Sequence, residues 1–213
     1  MEFLEASLEE YIEKHTQKEP DYLYELNRQT HLNVLQPRML SGHFQGRVLS
    51  MLSKMIQPKN VLEIGTYTGY SALCFAEGLR DKGKVTTIDI NYQLKEMVSE
   101  YISKANADHL IDFIIGDALS IIPTLNRMFD IVFIDADKEN YINYYNLVFD
   151  KVPSGGYIIA DNVLWSGKVL KPYGSLDKET KILVDYNKMV AEDNRVEQVL
   201  FPIRDGLMVA RKR

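Results

Sequence analysis

The chain has 213 residues, 46% hydrophobic and 26% charged, an ordinary globular composition long enough for one domain with a large core. Its formal net charge of −5 argues against dependence on long phosphate tracts, and no apolar run reaches the roughly 20 residues that span a bilayer. A single cysteine, Cys74, excludes an internal disulfide, reads as a small buried residue and fits a reducing cytoplasm.

The opening MEFLEASLEEYIEKH is acidic and amphipathic, unlike a secretory leader, so a cytoplasmic protein is expected. Apolar positions at helical spacing run through residues 3–14 and about 20–35, interrupted at Pro20. They continue over 43–57, with Phe44, Val48, Leu49, Leu52, Met55 and Ile56 on one side. Residues 1–57 are thus predicted to be a helical N-terminal extension. A different rhythm follows. Short apolar runs at Val61–Ile64, Val85–Ile88, Ile111–Ile115, Ile131–Ile134 and Tyr157–Ala160 alternate with predicted helices at 69–79, 91–105, 118–125 and 138–149. Strands buried on both faces read as continuous apolar runs, and alternation with helices implies parallel pairing. After a loop at 162–175, a helix over 176–192 leads to Val196–Phe201 and Leu207–Ala210, close enough to pair antiparallel at the sheet edge. The expected fold is α/β: a single domain over 1–213 with a doubly wound, Rossmann-like, seven-stranded, mostly parallel sheet, one antiparallel edge strand and preceding N-terminal helices.

Ligands of such sheets bind beyond the carboxyl ends of the strands. The first predicted strand runs into Glu63-Ile64-Gly65-Thr66-Tyr67-Thr68-Gly69-Tyr70-Ser71. Gly65 permits a tight turn and Gly69 relieves crowding at the helix start. The spacing is Gly-x-x-x-Gly, with Tyr67 where a dinucleotide fingerprint needs glycine, so a cofactor without phosphates fits better than a pyrophosphate. The second strand ends in Asp89, an acid placed to accept ribose hydroxyls; the third leads into Gly116-Asp117-Ala118, a turn suited to line an adenine pocket. Acids at three successive strand ends favour a cationic, hydroxyl-rich ligand, a description that S-adenosylmethionine meets.

The fourth predicted strand ends in Asp135-Ala136-Asp137-Lys138 and the fifth in Asp161-Asn162. Asp135, Asp161 and Asn162 would offer three oxygen ligands, which select a hard cation such as Mg²⁺, with Mn²⁺ or Ca²⁺ as alternatives. About three octahedral positions would remain for a water and two oxygens of a diol. The four histidines (His15, His31, His43 and His109) lie at no ligand spacing, the run Tyr141, Tyr144, Tyr145 reads as helix packing, and Arg211-Lys212-Arg213 as a solvated tail.

The stretches Val61–Ser71, Phe129–Tyr141 and Gly155–Gly167, the last reading GGYIIADNVLWSG, together resemble the cation-dependent O-methyltransferase family that includes catechol and caffeoyl-CoA O-methyltransferases. The resemblance implies metal ligation by Asp135, Asp161 and Asn162, with Lys138 as proton acceptor. It also implies cofactor contacts at Ser41, Glu63, Gly65, Thr66, Ser71, Asp89, Ala118 and Asp135, to which Tyr67 and Asp117 are added from the loops above. Met39, Lys138, Trp165 and Tyr173 are the candidate acceptor contacts. Animal catechol enzymes carry a further acid after the Asp-Asn pair, for which Asp177 and Glu179 are the candidates here. The expected reaction is methyl transfer from S-adenosylmethionine to a hydroxyl of a small catechol-like diol, in a homodimer. Two alternatives stand beside it: 5-hydroxyuridine in tRNA as the acceptor, and a nicotinamide-dependent oxidoreductase.

Overall fold

The structure, a computed structural model, describes residues 5–213. Residues 3 and 4 of the first predicted helix lie outside the described residues. The chain forms two compact units, residues 5–117 and 118–213.

The first unit begins with α1 (Ala6–His15), α2 (Asp21–Asn33) and α3 (Gly42–Ile56). Pro20 starts α2, as a residue with φ fixed near the helical value should. The buried face of α3 differs from the apolar stripe expected. Leu49 is buried, but Met55 is 73% exposed, and Gln45, Arg47, Ser50 and Ser53 go inside. The reason is a set of charge and hydroxyl partners on the next helix. Arg47 forks onto the Glu77 carboxylate at 2.7 and 3.0 Å, Ser50 donates to it at 2.8 Å, and Ser53 donates to the Phe75 carbonyl at 2.7 Å. Burial alone would raise the Glu77 carboxyl, but hydrogen bonds from Arg47, Lys54 and Ser50 outweigh it and hold the group below its ordinary value. Gly46 permits the approach, since a Cβ there would fall 2.5 Å from the Tyr70 ring.

Next come β1 (Asn60–Ile64), α4 (Tyr70–Ala76), β2 (Lys84–Asp89), α5 (Lys95–Lys104) and β3 (Ile111–Ile115). The order β3-β2-β1 is parallel throughout, with Val61 opposite Val85 and Val85 opposite Ile111. α4 is shorter than the predicted 69–79 and buried along its whole length. The predicted helix over 91–105 opens as a 3₁₀ turn at Tyr92–Leu94.

The second unit contains α6 (Ala118–Ile121), β4 (Ile131–Ile134), α7 (Tyr141–Phe149), β5 (Tyr157–Ala160), α8 (Lys178–Glu192), β6 (Val196–Phe201) and β7 (Leu207–Lys212). β4 and β5 are parallel with Ile134 opposite Ala160, so the next residues, Asp135 and Asp161, leave adjacent strands at the same level. The β6–β7 hairpin supplies the antiparallel edge, with β7 entering between β5 and β6. All seven strands belong to one mostly parallel sheet. The basic C-terminus is solvated at Arg211 and Arg213, as expected, but tied down at Lys212, which donates to the carbonyls of Phe149 and Val152 and caps the end of α7; Arg211 makes a surface pair with Glu197 at 3.3 Å. Among the described residues, no helix is long and apolar enough to cross a membrane.

Candidate active site

The loop after β1 is built from residues that tolerate left-handed backbone. Gly65 and Gly69 have φ of +100° and +89°, and Tyr67 between them has +49°. A bulky residue pays strain there, so the position needs an outside brace. The brace is Asp89 at the end of β2: its Oδ2 accepts the Tyr67 N–H at 2.7 Å, and its Oδ1 accepts the Asn91 N–H at 2.8 Å. Each carboxylate oxygen keeps a further lone pair, so Asp89 can brace the loop and still accept from a ligand. Glu63 is fully buried at the end of β1. Thr87 donates to its Oε2 at 2.5 Å and lies 2.5 Å from the Thr66 hydroxyl; one proton per hydroxyl orders these groups as Thr66 to Thr87 to Glu63. The Tyr67 hydroxyl donates to the Gln36 carbonyl at 3.2 Å. Residues 63–71 carry one acid, Glu63, and no basic side chain, and Asp89 adds a second carboxylate, so the loop fits a cationic, hydroxyl-rich ligand better than a polyphosphate.

Elsewhere in this unit Ser41 and Ser71 are buried, Asp117 is exposed and Met39 is 58% exposed on a 3₁₀ turn. In the second unit, Ala118 is buried at the start of α6.

The acid loops after β4 and β5 surround a buried lysine. Lys138, 7% exposed, donates to Asn162 Oδ1 at 2.8 Å, to Asp135 Oδ1 at 3.4 Å and to the Tyr141 hydroxyl at 2.5 Å. Its ammonium also faces the rings of Tyr141 and Trp165 at 4.6 and 5.7 Å, which compensates part of its lost hydration. The Tyr141 hydroxyl in turn donates to the Asp161 carbonyl at 2.8 Å. Burial first, and then the charges of Asp135 and Asp161, push the Tyr141 hydroxyl well above its ordinary pKa, so it stays a neutral donor. Asp161 is buried, and its Oδ1 accepts the N–H of Asn162, which sits at φ +59°.

Among the described residues, no three His, Cys, Asp or Glu side chains group together, so a three-oxygen set needs the Asn162 amide. Two carboxylates and an amide carbonyl form an all-oxygen donor set that fits a hard divalent cation. The structure thus gathers Asp135, Lys138 and Asn162, with Asp161 on the adjoining strand end.

Other expected contacts go elsewhere. Asp177 caps α8, accepting the Thr180 N–H at 2.8 Å and its hydroxyl at 2.6 Å, while Glu179 is exposed. Tyr173 gives its hydroxyl to Asp185 on α8 at 2.9 Å. The loop predicted over 162–175 holds a 3₁₀ turn at Tyr173–Ser175 and, over Trp165–Leu170, helical turns interrupted by a kink at left-handed Ser166 and Gly167. Three residues beside these sites carried no sequence signal of their own. Thr87 was part of an apolar run, Tyr141 part of a packing helix, and Asp205 part of a hairpin turn.

The chain matches the O-methyltransferase family over residues 13–213 and belongs to it. It is 38% identical over 209 residues to the caffeoyl-CoA O-methyltransferase of Petroselinum crispum, covering 92% of this chain and 85% of that protein. Among solved structures it is similar to the SAH-bound methyltransferase PaMTH1 of Podospora anserina, with TM-score 0.89, 28% identity, and coverage of 97% and 94%. It is also similar to the O-methyltransferase TomG of Streptomyces achromogenes in complex with SAM, involved in tomaymycin synthesis, with TM-score 0.87, 27% identity, and coverage of 97% and 96%.

Proposed function

We propose that this chain, acting as a single domain, moves a methyl group from S-adenosylmethionine to a hydroxyl oxygen of a small catechol-like vicinal diol, with a divalent cation held by Asp135, Asp161 and Asn162. The observation that carries the reading is the buried Lys138 side chain, whose Nζ lies beside the oxygens of Asn162 and Asp135. A general base and a set of hard oxygen ligands in one place suit the activation of a hydroxyl. The printed names of the relatives, a caffeoyl-CoA O-methyltransferase and methyltransferases holding SAH or SAM, point the same way.

On the cofactor side, Asp89 accepts from ribose hydroxyls while keeping Tyr67 in place, and the ordered Thr66–Thr87–Glu63 relay keeps the Glu63 carboxylate fixed beneath the loop. Asp135, Asp161 and Asn162 would hold the divalent cation (Mg²⁺, Mn²⁺ or Ca²⁺), which would supply Lewis-acid activation of the acceptor hydroxyl. Lys138 takes the hydroxyl proton at Nζ, and Tyr141 and Asn162 keep that nitrogen in position. The acceptor oxygen then forms its bond to the methyl carbon as the carbon–sulfur bond breaks. Opposite charges cancel in that step, so the protein contributes chiefly alignment. The flat Trp165 ring opposite Lys138 supplies an apolar surface for the acceptor.

A small acceptor is favoured over tRNA because Arg211, Lys212 and Arg213 are engaged with Glu197 and backbone carbonyls. Family membership leaves the nicotinamide oxidoreductase without support. A cytoplasmic homodimer completes the reading: Cys74 is a free thiol, and α1 and α3 leave Leu8, Tyr11, Met51 and Met55 exposed.

The test is tritiated methyl transfer from S-adenosylmethionine to catechol, phenol and tRNA, with Mg²⁺ or with EDTA. Catechol should react at least about a hundredfold faster than phenol, because two-point attachment orients the reacting oxygen. EDTA should abolish turnover, Mg²⁺ should restore it, and Asp161→Ala should not be restored. Equal rates on catechol and phenol, preferential labelling of tRNA, or full activity in EDTA would overturn the reading.

A further inference from the structure

The segment leaving β5 holds an improbable backbone. After Asn162 at φ +59°, it places Trp165, Ser166 and Gly167 in succession at +47°, +53° and +74°. Two of those three carry side chains, which the left-handed region disfavours, so contacts from outside the segment must hold it. They come from the β6–β7 turn. The Ser166 N–H donates to the Asp205 carboxylate at 2.5 Å. The Leu164 N–H donates to the Asp205 carbonyl at 2.9 Å, and the Val163 N–H to the Gly206 carbonyl at 3.2 Å. Gly206 lets the two segments meet, since a Cβ there would lie 2.5 Å from Leu164 Cγ. Burial raises the Asp205 carboxyl above its ordinary value, while the Ser166 N–H and the Lys138 charge pull it back, so this carboxylate lies within reach of the Lys138 field.

We propose that Asp205 is a positioning residue for methyl transfer: its carboxylate pins Ser166, and through Ser166 it fixes Trp165 as the wall that faces Lys138 and orients the acceptor. The consequence for acceptor binding rests on the diol reading above; the clamp itself does not. In the structure the oxygen that reaches the Ser166 N–H is Asp205 Oδ1, at 2.5 Å. The turn therefore sets acceptor affinity without touching either reacting group.

Trp165 is the single tryptophan of the chain and reports its own position. The experiment compares Asp205→Ala, Asp205→Glu and Asp205→Asn in the full chain by iodide quenching of Trp165 emission, KM and kcat for catechol, and S-adenosylmethionine affinity. Asn offers an amide oxygen in the same place and should leave quenching and KM as in the unaltered chain. Ala removes the acceptor and Glu displaces it, so both should expose Trp165 to iodide and raise the catechol KM about tenfold, with cofactor affinity unchanged. If Asp205→Ala does not fold, the Asn and Glu pair decides. Asn loosened as much as Ala or Glu, or quenching unchanged in Ala and Glu, would overturn the proposal. Absence of methyl transfer to any diol by the unaltered chain would sink the diol reading, while the quenching result would still decide the clamp.

Discussion

The loop after β1 and the loop after β5 both leave a parallel strand through left-handed residues, yet different parts of the chain hold them. Tyr67 is pinned by Asp89, 22 residues on, at the end of the very next strand. Ser166 is pinned by Asp205, 39 residues on, in the turn of an edge hairpin that follows a long helix. The first loop and its brace thus belong to one strand–helix–strand unit, where a change in the loop and a change in its support are felt together. The second borrows its support from the sheet edge, so its shape can be tuned by a hairpin that carries none of the chemistry. A cofactor common to many reactions suits the first arrangement, and an acceptor that varies suits the second.

The largest expected effect separates the two loops outright. Lys138→Ala should lower methyl transfer to catechol at neutral pH by about 10²–10⁴-fold, the usual contribution of a positioned base. The rate should recover in part as the pH approaches about 10, where solvent can ionise the phenol. S-adenosylmethionine affinity, which the proposed reading assigns to the first loop, should not change. Steady-state rates over pH 6–10 and a calorimetric titration check both halves; a weakened cofactor would show that the two loops do not act separately.

Asp89→Ala probes the other side. It removes the acceptor of the Tyr67 N–H as well as the oxygens offered to the cofactor, and should weaken S-adenosylmethionine by about 1–3 kcal/mol, the cost of leaving buried partners unpaired. Calorimetry reads it directly. Unchanged affinity would move the cofactor away from this loop and end the comparison.

This difference in bracing also explains what the sequence disclosed. The seven strands were legible because a strand buried on both faces is a continuous apolar run, and the glycine loop was legible because loop, strand and Asp89 fall within one short stretch. The register of Ile134 with Ala160 gave Asp135 and Asp161 their common level, and parallel pairing of successive strands made that foreseeable. The buried face of α3 was not. Periodicity assigns polar residues outward, whereas Glu77 draws Arg47 and Ser50 inward through charge-assisted hydrogen bonds. Asp177 was expected only as a candidate further acid, whereas its side chain caps α8. The 162–167 backbone had no local signal at all. Nothing about Trp165-Ser166 favours left-handed φ, and the turn that enforces it arrives from Asp205.

The smallest effects compare single hydroxyls in the two regions. Thr87 is fully buried, and its hydroxyl both accepts from Thr66 and donates to Glu63, so Thr87→Val strips two partners at once from a buried carboxylate network. A loss of about 1–3 kcal/mol in stability is expected, since each group left unpaired keeps its desolvation cost. Tyr186 on α8 is equally buried, packs edge-on against Tyr141 at 5.6 Å and supports the lysine side of the site through its ring alone. Among the described residues its hydroxyl has no hydrogen-bond partner. Tyr186→Phe keeps the ring contact and removes an unsatisfied polar atom, so stability should hold or rise by up to about 1 kcal/mol, with kcat for catechol unchanged. Urea unfolding of the two variants measures the contrast. If Tyr186→Phe were as costly as Thr87→Val, the lysine side would depend on buried hydroxyl contacts as the glycine loop does, and the distinction between a hydrogen-bonded cofactor region and a ring-packed acceptor region would fail.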